Sequence, residues 1–130
     1  TPDIGGGIGL MAAVRYLRGL GMDNVYCHEC DLIGYALKRV QELRKIKIYG
    51  PLEITGKCGI IPFNMEGFDS HDVALFLDSY GIMIRSGYHC AQPLHQRLNV
   101  PSSARVSFYI YNTRDEIDRF IEVLKELEQL

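Results

Sequence analysis

The chain has 130 residues, a formal net charge of −2, four cysteines, 47% apolar residues and 23% charged ones, which suits one ordinary globular domain with material for a core. No basic excess supports non-specific binding of nucleic acid. No apolar run approaches the roughly 18–20 residues of a membrane span, and no basic, then apolar, leader opens the sequence. The expectation is a cytoplasmic protein with reduced thiols. The sequence starts Thr1-Pro2-Asp3, without an initiator methionine, which suggests part of a longer polypeptide.

A first helix is expected from Gly5 to Gly21, with Gly21 as its stop and an apolar arc of Ile8, Met11, Val14, Leu17 and Leu20. That arc is broad enough to want partners on more than one side, so self-association or fraying of the N-terminus is expected. A second helix is expected over 24–43, capped by Asp23, with Leu32, Ile33, Ala36, Leu37, Val40 and Leu43 on one stripe and Lys38, Arg39 and Glu42 on the wet side. Strands are expected at 45–49 and 57–64. Asp69 caps a third helix that runs to Tyr80, with Asp72 at N3, a Phe68–Val73 staple and Gly81 as its stop. A strand follows at 82–85, then an irregular stretch to Pro101 with a turn of helix near 94–98. A strand at 105–111 leads into a final helix opened by a Thr113/Glu116 capping box, with Ile117, Phe120, Ile121, Leu124 and Leu127 on its buried face. The order α-β-β-α-β-β-α after the first helix predicts an α+β domain, its helices on one face of a small mixed or antiparallel sheet.

The irregular stretch reads Arg85-Ser86-Gly87-Tyr88-His89-Cys90-Ala91-Gln92-Pro93-Leu94-His95. A loop leaving a strand end is a common place for chemistry, and this one holds a thiol beside an imidazole, with an arginine close in sequence. A free thiol, with a pKa of about 8.5, is mostly protonated at neutral pH, and a neighbouring cation raises the thiolate share. On spacing alone, the plainer reading is that Cys90 is a small buried hydrophobe and His89 a satisfied polar residue.

The run from Arg85 to Leu94 closely resembles the active-cysteine segment of SufS-type (group II) cysteine desulfurases and selenocysteine lyases of the class V aminotransferase family, written R-[TS]-G-H-H-C-A-Q-P. Tyr88 stands where the family often has His. Further resemblance lies in Thr1-Pro2-Asp3-Ile4, His28-Glu29, Tyr49-Gly50-Pro51, Arg105-Val106-Ser107 and Tyr111-Asn112-Thr113, so it spans essentially the whole chain in order.

The resemblance implies the C-terminal part of a fold-type I transferase dependent on pyridoxal 5′-phosphate (PLP). Residues 1–21 would be a helix of the large-domain or hinge region and 22–130 the small domain. It implies Cys90 as the nucleophile that takes sulfur from cysteine as a persulfide, and Arg105 as the fork for the substrate carboxylate. Thr1 would reach the PLP phosphate of the neighbouring subunit in a homodimer, while Arg85 and His89 would be active-site neighbours. It further implies a sulfur-acceptor protein and a role in iron–sulfur cluster assembly. The family's PLP lysine follows a histidine, and no His-Lys pair occurs here. The chain by itself is therefore expected to bind no PLP and to be inactive.

Other signals are weaker. Cys27-His28-Glu29-Cys30 lacks the second pair of a zinc ribbon, so no metal is expected. Gly5-Gly6-Gly7-Ile8-Gly9 lacks the Gly-Lys-Ser/Thr ending of a P-loop. His71 reads as helix surface, and His95 as a residue bordering the active loop. Three other readings stay open: a kynureninase-like or epimerase-like reaction on the same fold, a free-standing sulfur carrier or binding module, and the small subunit of a split PLP enzyme.

Overall fold

Alternation decides the architecture. In the computed structural model, which describes residues 1–130, strand β2 (Ile60–Met65) turns Ile61, Phe63 and Met65 inward, and strand β4 (Ser103–Ser107) does the same with Ala104 and Val106. With β1 (Ile46–Ile48) and β3 (Arg85–Gly87) they form a four-stranded sheet in the order β1-β2-β4-β3, every pairing antiparallel. Helices α2 (Met22–Val40), α3 (Ser70–Ser79) and α5 (Arg114–Glu128) pack against one face of it. The core gathers the α2 stripe, the inward strand residues and Ile117, Phe120, Ile121 and Leu124 of α5, with Phe63 edge-on to Phe120 at 5.9 Å. The α+β expectation holds, and the sheet is antiparallel throughout.

The capping signals of α3 and α5 stand as read. Asp69 accepts from the His71 amide, and Thr113 and Glu116 close a reciprocal capping box. Helix α1 (Ile4–Leu20) is continuous, with the Asp3 carboxylate capping the Gly6 amide. None of its residues is buried, and Ile4, Ile8, Leu10 and Tyr16 lie open to solvent. No helix is long and apolar enough to cross a membrane.

Several boundaries differ from expectation. The second helix starts at Met22, with Gly21 at its N-cap in place of Asp23, and ends at Val40 rather than Leu43. Gly21, at φ 83°, is at once the stop of α1 and the start of α2, a backbone shape that a side chain resists. β2 begins at Ile60 and not Lys57, because Lys57 closes a turn onto the Ile54 carbonyl. Gly59 lies so close to the Phe108 carbonyl oxygen that a Cβ there would fall 2.3 Å from it. β3 is 85–87 and not 82–85, since only those residues find partners on β4. β4 is 103–107 and not 105–111: at Tyr109 the chain turns, its amide donating to the Asn112 side chain. β1 is trimmed to 46–48, and the expected turn of helix at 94–98 is a two-turn helix, α4 (Gln92–Leu98), with Pro93 in its first turn.

Candidate active-cysteine site

The sheet face opposite α2, α3 and α5 carries most of the polar strand residues. Ser103 and Arg105 alternate outward on β4, with Pro62 of β2 and Arg85 of β3 directly across from Arg105. Asn64 donates to the Tyr49 hydroxyl at 3.1 Å and to the Ser102 carbonyl at 2.9 Å. Arg85 and Arg105 thus put two guanidinium-bearing side chains on one face in register. The four ion pairs of the chain use Arg39, Arg114 and Lys125 and neither of these arginines. The Arg105 Nε–H is buried without a partner. Like charges directly opposite are unfavourable, and a buried unpaired donor costs about 1–3 kcal/mol. A small carboxylate would relieve both.

Beyond β3 the chain makes a turn in which the Ala91 amide donates to the Tyr88 carbonyl at 2.8 Å. Its central residues, His89 and Cys90, have φ of 53° and 59°. Positive φ at both central positions defines a type I′ turn, usually the place of Asn and Gly. Each such non-glycine residue stores about 1–3 kcal/mol, and this kind of strain gathers at functional sites. Cys90 is exposed, which overturns the plainer reading of a buried hydrophobe. Its Sγ lies 4.0 Å from Nη2 of Arg85.

His89 is half-buried, and its Nε2 meets the Ser103 carbonyl oxygen at 2.9 Å and the Ser103 hydroxyl at 3.2 Å. Burial pushes this imidazole below its ordinary range. The Ser103 carbonyl opposes that shift, and Arg105, His95 and Arg85 add to it. That direction favours the neutral ring, and its Nδ1 is buried without a partner.

The structure thus brings together Cys90, Arg85, His89 and Arg105, while Thr1 stands at the exposed start of the chain ahead of α1. His71 is on the surface as expected, its Nδ1 3.3 Å from the Ser86 hydroxyl. Sequence reasoning missed Ser103, which carries no motif. It underrated His95, whose place four residues after Ala91 on a helix was the available signal. Cys27 and Cys30 sit on α2 beside Tyr26, whose hydroxyl is raised above its usual pKa chiefly by its hydrogen bond to Cys30.

For PLP the fit is partial. Lys45 and Lys47 lie at or beside β1, at the opposite sheet edge from β3. Lys38 and Lys125 lie on helices of the covered face, and Lys57 is tied to the Pro51 carbonyl. None of the five lysines lies on the Cys90 turn or on β3 and β4 beside it.

Similarity to known proteins runs along nearly the whole chain. Residues 1–120 match the family described as Aminotransferase class-V, and the chain belongs to that family. It is 44% identical over 129 residues to a probable cysteine desulfurase of Halalkalibacterium halodurans, covering 99% of this chain and 31% of that protein. The apo structure of a cysteine desulfurase from Thermococcus onnurineus superposes with a TM-score of 0.95 at 38% identity, over 99% of this chain and 32% of that one. The Escherichia coli cysteine desulfurase CsdA, in an S-sulfonic acid form, superposes at 0.88 and 28% identity, over 100% of this chain and 32% of that one. The chain spans about a third of the length of these relatives.

Proposed function

We propose that this chain is the sulfur-accepting C-terminal portion of a PLP-dependent cysteine desulfurase of the SufS type, with α1 belonging to the large-domain or hinge region and residues 22–130 forming the small domain. One observation carries the reading. An exposed thiol, Cys90, is held on a strained turn beside Arg85 and next to a sheet face that bears an arginine pair without acidic partners. The absence of buried residues on α1 supports the division.

In this reading Arg105 takes the carboxylate of the substrate cysteine through two parallel charge-assisted hydrogen bonds. Arg85 faces Cys90 Sγ at 4.0 Å, and His89 orders the turn. The Cys90 thiolate attacks the substrate sulfur. An S–S bond forms and the carbon–sulfur bond breaks. The carbon keeps the electron pair and gains a proton, which yields alanine and a persulfide on Cys90. When bound in the parent, PLP supplies the sink that makes that carbon an acceptable leaving centre. The parent works as a homodimer in which Thr1 meets the neighbouring subunit's cofactor phosphate. It passes the sulfur to an acceptor protein for iron–sulfur cluster assembly in the cytoplasm. Selenocysteine is the close alternative substrate.

The test is mass spectrometry of the full-length protein after incubation with cysteine. The peptide bearing Cys90 should gain one sulfur atom, removable by a thiol reductant. Cys90→Ala should lose both that gain and alanine release. Full alanine release by Cys90→Ala would end the proposal and favour a reaction that needs no thiol.

A further inference from the structure

The two residues that flank Cys90 are joined to each other by a directed chain of hydrogen bonds that runs through α4 and β4. His95 is buried, with only 4% of its surface exposed. Its Nδ1 lies 3.0 Å from the Ala91 carbonyl oxygen. A carbonyl can only accept, so Nδ1 carries the proton. In the neutral ring Nε2 is then bare, and it accepts from the Ser103 hydroxyl at 3.0 Å. Ser103, having donated, keeps its lone pairs for the next neighbour. The His89 Nε2 faces both oxygens of Ser103, and because one of them is a carbonyl, this nitrogen must be the donor. The direction is thus fixed from His89 through Ser103 to His95, and from His95 to Ala91.

Packing holds the same groups. The His95 ring meets the Tyr88 ring edge-on at 5.7 Å and lies 5.9 Å from that of His89. Tyr88, His89 and Ala91 make up the type I′ turn together with Cys90. Ser103 is itself 3% exposed and registered against Gly87 in the sheet, so one side of the clamp is anchored on a strand and the other on α4.

We propose that Ser103 and His95 are positioning residues for Cys90: they clamp the turn from both sides of the nucleophile, hold it in its left-handed conformation with Sγ at Arg85, and fix His89 with Nε2 protonated and Nδ1 bare. This rests on the reading of Cys90 as the sulfur acceptor. Neither residue touches the reacting sulfur. A released turn relaxes toward negative φ, which swings the thiol off Arg85 and leaves Arg105 where it is.

The experiment uses the full-length protein with Ser103→Ala, Ser103→Thr and His95→Met. The first reading is the rate at which iodoacetamide alkylates Cys90, followed on its peptide by mass spectrometry. The second is the division of steady-state desulfuration between kcat and KM for cysteine. Ser103→Ala and His95→Met should each slow alkylation severalfold and lower kcat with KM nearly unchanged. Ser103→Thr keeps the hydroxyl and should restore both toward wild type. Wild-type alkylation in Ser103→Ala and His95→Met would overturn the proposal. So would a Ser103→Thr protein as impaired as Ser103→Ala, which would point to packing alone. Alkylation reads the thiol without turnover. A Cys90 that never carries sulfur would therefore sink the desulfurase reading separately, whatever the alkylation rates show.

Discussion

Arg105→Lys separates binding from stability. The substitution keeps the positive charge on β4 but replaces a two-bond fork with a single ammonium. A hydrogen bond to a charged group is worth about 1.5–3 kcal/mol, and each 1.4 kcal/mol is about tenfold in affinity. Losing one of two such bonds to the substrate carboxylate should raise KM for cysteine roughly ten- to a hundredfold in the full-length protein. The lost bond holds the substrate equally before and during reaction, so kcat should change little. Stability should move the other way. The Arg105 Nε–H is buried and unpartnered, and deleting such a donor removes a penalty of about 1–3 kcal/mol, partly offset by poorer packing of the lysine stem. The urea midpoint of the substrate-free 130-residue chain should stay level or rise. A KM within about threefold of wild type, far less than one charge-assisted bond predicts, together with a falling urea midpoint, would show that Arg105 is a structural residue and that the anion fork is misassigned.

Acidification should weaken the fold through His89. Burial holds its folded pKa below the ordinary value, with Arg105, His95 and Arg85 on the packed elements adding to the effect. As pH falls from the ordinary imidazole range toward the depressed folded value, the unfolded chain takes up a proton that the folded chain refuses, so stability is full above that range and declines below it. Urea unfolding across that window should show a smaller acid loss in His89→Gln, and an NMR titration midpoint for His89 above the ordinary range would contradict the reasoning. Gly59→Ala should lower stability by about 1–3 kcal/mol, because its Cβ would meet the Phe108 carbonyl oxygen and disturb the 2.6 Å hydrogen bond from the Phe108 amide to the Gly59 carbonyl. An unchanged urea midpoint would show that the backbone yields freely there. The purified 130-residue chain, supplied with PLP and cysteine, should release neither alanine nor sulfide, since its lysines lie away from the Cys90 turn. Sustained turnover by that chain would refute this.

What was legible in the sequence follows the range of the forces involved. The α2 and α5 stripes and the capping signals at Asp69 and Thr113 are local, and they stand where the periodicity put them. Strand limits were misread because pairing sets them. Ile82–Ile84 has strand composition but no partner on β4, and Phe108–Tyr111 alternates well yet is turned by Asn112. Gly21 was read as a stop, and it is also a start, because a single glycine at positive φ can serve two helices at once.

The site divides along the same line. Cys90 and Arg105 were visible because their residue types and neighbours form recognisable runs. The turn that presents Cys90 was not, since a type I′ turn is signalled by Asn or Gly and here holds His89 and Cys90. That mismatch is informative. Local preference opposes the conformation, and in the proposal above it is held by Ser103, distant in sequence, and by His95, one helical turn after Ala91. Violations of local rules concentrate where function needs a particular geometry. Here the violation falls on the exposed thiol itself, and the proposed compensation lies in a buried serine that no motif selects and a buried histidine that the sequence places only at the border of the loop.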